Sequence, residues 1–482
     1  MSFDELKGVS WGCDIRHSHR RSLEAAEIES EHQVVSALDE VVRCRVRRVG
    51  RDRLGSPRIH HIATPRGRRA GTATLVVLYA AAWVLTSLVL KTTPSDLDRY
   101  FWPSAETVAG GHPLLIYSAY GHDVYPNANG PLGLAPLIPV VALANALGWA
   151  GNIGARSALA GAVVSLFVML LACQVVRLVG RGRGVVERRL ATACTVLFAP
   201  ALWMGVIDYG HIEQPIELCF VLLGAGWALR GRSALAGVAV GAAVLTRTIA
   251  AFSVIPLALV PLARRSARRS AATIAACGVT VVAGVAPFLI ADGPAVTHSL
   301  LTYRGTLPVG GGSFWLVARQ TGWAGVAQYG DVAIAAVAGT ALTAITLRRN
   351  ITVAFTPPGL FGLLTVTSAC FPLVAKTVFD YYLVEPYIFA VVWWLARPGS
   401  ALNWRALVPV LLTADVLLSK WGEAVSTDWL IAEGVTSSAI LAVVVAMVTA
   451  DLWRSPRHGV VDMGFPAPGV RPEASVSNNH VE

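Results

Sequence analysis

Residues 71–131 read GTATLVVLYAAAWVLTSLVLKTTPSDLDRYFWPSAETVAGGHPLLIYSAYGHDVYPNANGP, and the contrast between their two halves decides the fold. Residues 71–90 carry no charge, and at about 1.5 Å per residue such a run spans a hydrocarbon layer of about 30 Å. The stretch Ser95 to Pro131 is polar and aromatic, with four carboxylates (Asp96, Asp98, Glu106 and Asp123), Phe101, Trp102, tyrosines, the pair Gly110-Gly111 and four prolines. A bare connector between spans would be shorter, so this loop at a membrane edge predicts a binding or catalytic role. The competing reading is an ordered loop that caps a helix bundle.

Composition extends the membrane reading to the whole chain. Hydrophobic residues make up 54% and charged residues 15% of 482 positions, well short of the usual charged quarter. The apolar runs have helical lengths and lack the ten-residue alternation of a membrane barrel, so the expected fold is all-α, a polytopic membrane helix bundle of about 12–13 spans. The net charge of +10 sits in short Arg clusters between apolar runs, where it orients a protein in a bilayer and speaks against a nucleic-acid partner. Seven cysteines show no CxxC spacing, and neither a disulfide nor a zinc site is expected.

Residues 1–69 form a separate region. Val41 to Arg69 holds ten Arg and one Asp, which predicts a solvated, disordered cytoplasmic arm; His17 and His19 belong to it as tail residues. Residues 70–455 are the membrane domain and 456–482 a disordered cytoplasmic tail. No signal peptide is expected ahead of the first run, which reads as a retained anchor. Arg clusters at 177–189, 230–232, 264–269, 348–349, 397–405 and 454–457 should face the cytoplasm. That pattern predicts an amino terminus inside a cell membrane, with loops 91–131 and 291–330 on the outer face. It works with twelve crossings if 132–149, interrupted by Pro136 and Pro139, is interfacial or re-entrant. The short runs flanking Arg247 suit helices broken at a site.

This topology places the unusual polar residues at one end: loop 91–131, Asp208-Tyr209-Gly210-His211-Ile212-Glu213-Gln214, the break at Thr246-Arg247-Thr248, loop 291–330 with His298, Tyr303 and Arg304, and Lys376 to Tyr382. Ionisable groups at membrane ends are functional candidates because burying them unpaired costs several kcal/mol.

The order of these features resembles the GT-C superfamily of integral-membrane glycosyltransferases, over roughly residues 71–395. Asp96 four residues before Tyr100, then Ala-x-x-x-x-Gly-Gly-x-Pro at 105–113, then Tyr125-Pro126 leading to Pro131-Leu132, is similar to the first outer loop of bacterial members that use polyprenol-phosphate-mannose. Asp208 to Gln214 is similar to the Asp-x-Gly-His segment of dolichol-linked glucosyltransferases, and Arg247 with Pro256 stands where related sequences carry Lys. The chain departs from the pattern at Asn127, in place of a second Pro, and at Glu213-Gln214-Pro215. The resemblance implies transfer of a hexose, mannose foremost, or a pentose from a polyprenol-phosphate donor to a lipid-linked or cell-envelope glycan acceptor on the outer face; no cofactor is expected, and no dense carboxylate cluster demands a divalent metal.

That chemistry needs a base for the acceptor hydroxyl and stabilisation of the departing lipid phosphate. Asp96 is the first choice for base and Asp98 its rival, with Glu213 and Asp208 behind; the bland reading of Asp96 is a helix N-cap. Arg247, Arg304, His211 and Lys376 are candidates for the phosphate, Arg247 the best of them, with Gln214 in the segment of His211. Tyr100, Trp102, Trp315 and Tyr381 would stack on sugar or form an interfacial belt. The alternative is a lipid-linked-sugar flippase or other secondary transporter, for which charges should pair deep in the helices. Asp415 and Lys420 come nearest to that.

Overall fold

The structure, a computed structural model, describes residues 65–455 apart from 92, 119–126, 181–182, 264, 320–323, 398–402 and 424–426. The basic arm to residue 64, the tail after 455 and the Tyr125-Pro126 pair lie outside the described residues. The helix bundle forms the unit Gly71–Glu482.

The chain is an all-α membrane helix bundle. Its larger helices are α1 (Pro65–Leu90), α2 (Trp102–Ala109), α3 (Pro131–Leu134), α4 (Ile138–Ala146), α5 (Ile153–Val179), α6 (Val185–Val196), α7 (Glu213–Leu229), α8 (Ser233–Val244), α9 (Val254–Ala263), α10 (Ala267–Thr297), α11 (Ala324–Arg349), α12 (Pro357–Val374), α13 (Val384–Leu395), α14 (Leu407–Glu423) and α15 (Thr427–Arg454). Among the described residues six stretches are long and apolar enough to cross a membrane: Ile153–Val179, Val185–Asp208, Ala267–Thr306, Gly330–Arg349, Pro357–Val374 and Trp429–Arg454. They fit a multi-pass protein.

Burial follows composition. Helix α13 is apolar nearly all round and every one of its residues is buried, which makes it the axis of the bundle. In contrast, α10 turns most of its apolar surface outward, with Val279, Val282 and Ile290 exposed. Small residues let helices approach where no water is available to drive them together. A Cβ at Gly237 of α8 would lie 2.2 Å from the Thr273 carbonyl of α10, and one at Gly241 2.9 Å from that of Cys277.

Two loop expectations are corrected. Among the described residues of 91–131, a π-helical turn at Leu97–Phe101 runs into α2, and a short 3-10 turn follows at Pro113–Leu115. Leu97, Phe101, Trp102 and Ala105 are all buried, a helical spacing that puts one apolar stripe on the bundle. Gly111, at φ 92°, ends it as glycine commonly ends helices. The described part of 291–330 is also mostly helical: after a kink at Asp292 (φ −152°, ψ 79°), α10 resumes and runs through a π-helical turn at His298–Thr302 into a short helix at Tyr303–Thr306. The tip, Gly310–Gly311, pairs in parallel with Thr377–Val378.

The segment 132–149 forms two helices of 4 and 9 residues, each far short of the bilayer. Gly130 and Gly133 lie against Leu245 and Thr246, and Leu132 N–H donates to the Leu245 carbonyl at 3.0 Å. Its start therefore packs into the break between α8 and α9. The arginine-rich segments gather elsewhere: Arg183 donates to the Ala396 carbonyl, and Arg397 and Arg405 both pair with Asp451 at 2.6 Å.

Candidate functional site

The site grows from a turn that only glycine permits. Gly210 sits at φ 79°, and a Cβ there would lie 2.5 Å from Leu97 Cβ and 2.7 Å from Leu97 N, so the Tyr209–His211 backbone can lie directly on Ser95–Leu97. Asp96 N–H donates to the Tyr209 carbonyl at 3.0 Å, and His211 N–H donates to the Gly205 carbonyl at 2.8 Å. These bonds aim the imidazole at Asp96. His211 Nε2 lies 3.2 Å from Asp96 Oδ2, and Nδ1 lies 2.6 Å from Glu213 Oε1.

Exposure divides the three groups. The Asp96 side chain is 29% exposed, whereas His211 and Glu213 are buried. Burial by itself would lower the His211 pKa, but Glu213 above all, with Asp96, outweighs it and raises the value to about 9. At neutral pH an imidazolium therefore bridges a buried and an accessible carboxylate. The Tyr381 ring lies over it with centroids 3.9 Å apart, and Gln214 Nε2 fixes that segment by donating to the Tyr381 carbonyl at 2.8 Å.

Behind this layer lies Arg247, in extended backbone (φ −151°, ψ 125°) at the break between α8 and the 3-10 turn Thr248–Ser253. Its Nη1 donates to Glu385 and lies 3.8 Å from Glu217 Oε2, and its Nε is 3.9 Å from Glu213 Oε1. The guanidinium also sits over the rings of Tyr381 and Tyr382, at 5.4 and 5.5 Å. It is only 4% exposed. Arg247 thus holds three buried carboxylates together, and a phosphate would have to displace them. A small cavity beside it is lined by Glu217, Ser253, Ser368 and Glu385.

Around this centre the other candidates take distinct places. Asp208, half exposed at the rim, pairs with Lys420 Nζ at 2.8 Å, and its carbonyl accepts from Lys91 Nζ. Lys420 also lies 3.4 Å from Asp380 Oδ2. Tyr100 and Tyr303 share a hydroxyl hydrogen bond of 2.9 Å. Arg304 pairs with Asp331 at 2.9 Å, donates to the Tyr382 hydroxyl at 3.3 Å, and keeps a quarter of its side chain exposed. Lys376 is fully buried, and its ammonium donates to the carbonyls of Gly305 and Gln328 at 3.0 and 3.3 Å. It locks the end of the 291–330 excursion and faces no opening.

Three readings change. The capping role considered for Asp96 belongs to Asp98, whose Oδ2 accepts from Ser95 N–H at 3.0 Å and from Ser95 Oγ at 3.2 Å while Oδ1 faces Arg156 at 3.6 Å. Asp96 makes no capping bond. Trp102 and Trp315 are buried, their indoles donating to Glu106 and to the Val374 carbonyl at 2.7 Å each, so packing holds them and no sugar face is open. Glu217 and Glu385 join the site although no expected motif contains them. The first stands one helical turn after Glu213, and the second is a carboxylate before Pro386 within an apolar run; both signals are present in the chain.

The fold and site together define a multi-pass helix bundle with an accessible carboxylate, backed by a buried ionic network, at one end. No family model matches this chain, and no curated protein matches it either.

Proposed function

We propose that the protein is a membrane glycosyltransferase that moves a sugar from a polyprenol-phosphate donor to a hydroxyl of a cell-envelope glycan or glycolipid, at the outer face of the cell membrane. One observation carries the reading: Asp96, partly exposed, stands against the buried imidazole of His211, whose far nitrogen meets Glu213. Asp96 would take the proton of the acceptor hydroxyl as that oxygen attacks the anomeric carbon, and the glycosyl–phosphate bond breaks with its electrons leaving on the lipid phosphate. His211 holds the carboxylate in place and supplies positive charge beside the reacting oxygens. Arg304, the more accessible guanidinium, is assigned to the phosphate, with Lys420 at the rim; Arg247 positions the network from behind. Tyr100 and Tyr209, partly exposed next to Asp96, would offer aromatic surface to a sugar, with Tyr381 buried behind them. The test is incubation of the purified protein with labelled polyprenol-phosphate sugars and mixed glycan acceptors.

A second reading, secondary transport, has one observation in its favour. Glu217, Arg247 and Glu385 are paired charges buried where a helix breaks, as carriers place their coupling groups. Uptake of lipid-linked sugar into proteoliposomes, without glycosidic product, would select it.

A further inference from the structure

The arginine-rich end of the bundle, away from Asp96, holds a crevice among α7, α8, α9, α10 and α12. Its inner wall is apolar, from Leu257, Val260, Phe355 and Leu360, and its polar contribution comes from Ser233, Thr273 and Arg269. An apolar wall with a few convergent polar groups is the usual make-up of a ligand site. Arg269 reaches across to Gly231, where a Cβ would lie 3.8 Å from its Nη1. Arg230, Arg232, Arg265 and Arg268 are exposed in the same two turns.

Two helices begin here, and neither is capped by a side chain. Helices α8 and α10 start at Ser233 and Ala267 without a capping hydrogen bond, as α6, α7 and α13 also do. The two uncapped starts are tied together, since Thr273 Oγ1 donates to the Ser233 carbonyl at 3.3 Å. The positive ends of two helices and a cluster of exposed arginines favour an anion. The apolar wall calls for a hydrocarbon chain.

We propose that this crevice is a binding site for an anionic membrane phospholipid, with the headgroup phosphate at Arg269, Arg230 and Arg232 and one acyl chain against Leu257, Val260 and Phe355. A ring of arginines at the membrane edge meets phosphate at the level where lipid headgroups lie, and basic pockets between membrane helices on that side bind such headgroups. The site is independent of the transferase reading, because none of its residues touches Asp96, His211 or Arg247.

The experiment is native mass spectrometry of the purified full chain with phosphatidylglycerol, phosphatidylcholine and glycerol phosphate as separate probes. Phosphatidylglycerol should be retained in preference to phosphatidylcholine. Arg269→Ala should weaken that retention about five-fold, as loss of one surface charge near lipid does, and the added pair Arg230→Ala and Arg232→Ala should remove the preference. Arg269→Lys should keep most of it, which separates lost charge from lost folding. Val260→Trp, filling the wall, should reduce retention with the arginines intact. Equal retention of the two lipids, or retention unmoved by these substitutions, would overturn the proposal. So would glycerol phosphate binding as well as the lipid, since the site would then serve a soluble phosphate.

Discussion

Asp96 is the accessible member of a chain of three charged groups, and its replacement separates chemistry from binding. Asp96→Asn keeps volume and removes the base, so turnover should fall by about 10²–10⁴-fold while donor binding survives, measured as kcat and KM on the labelled donor. Asp98→Asn should act differently. Its oxygens cap Ser95 and face Arg156, and the loss should appear as about 1–2 kcal/mol of stability in thermal unfolding, with activity following the folded fraction. His211 adds a pH dependence whose sign is fixed. Its folded pKa of about 9 stands above the ordinary 6.5, so the stability contributed by the cation is complete below about pH 6.5 and disappears as pH rises towards 9. Melting curves across that window should slope downward for the native chain, and His211→Gln should flatten them.

The broken helices and tight turns convert residue chemistry into a site. Gly210→Ala places a methyl against Leu97 and forces an L residue into left-handed backbone, at about 1–2 kcal/mol for the conformation alone. Because that turn aims His211 at Asp96, activity should fall further than stability does. Arg247→Ala would leave Glu217 and Glu385 facing one another without a counterion and Glu213 held by His211 alone, and breaking such a buried pair costs about 3–5 kcal/mol. The expected readout is loss of monodisperse protein, with Arg247→Lys recovering part of it. Helices of this kind are partly legible in the chain: the break at Thr246-Arg247-Thr248 and the interruption of 132–149 by proline both follow from the sequence. The helical character of 97–109 does not, although Leu97, Phe101, Trp102 and Ala105 carry the spacing. Prolines, glycines and acids there suggest an open loop, whereas the helix takes up Pro103 just after its π-helical turn.

In the assembled bundle, polar segments far apart in sequence meet at one end, while arginine clusters converge on each other elsewhere. Charge sidedness makes that legible from the chain alone, because each segment between apolar runs carries its own compartment signal. Which carboxylates pair inside is not legible, since Glu217 of α7 and Glu385 of α13 meet only at Arg247, in the break after α8. A topology test follows from the same arrangement. With Cys13, Cys44 and the exposed Cys173 replaced by Ser, an impermeant thiol reagent applied from outside should label a cysteine at exposed His112 and miss one at exposed Arg349; the reverse pattern would invert the membrane orientation.

The claim that Asp96 is the base of a glycosyl transfer meets its most direct test in one assay. Purified protein is given labelled polyprenol-phosphate sugar and a set of envelope glycan acceptors, beside the Asp96→Asn variant at matched folding. The native chain should yield labelled glycosidic product, reduced by about 10²–10⁴-fold in the variant. Product formed equally by both would contradict the assignment of the base, and movement of the intact lipid-linked sugar across a bilayer with no product from either would contradict the transferase itself.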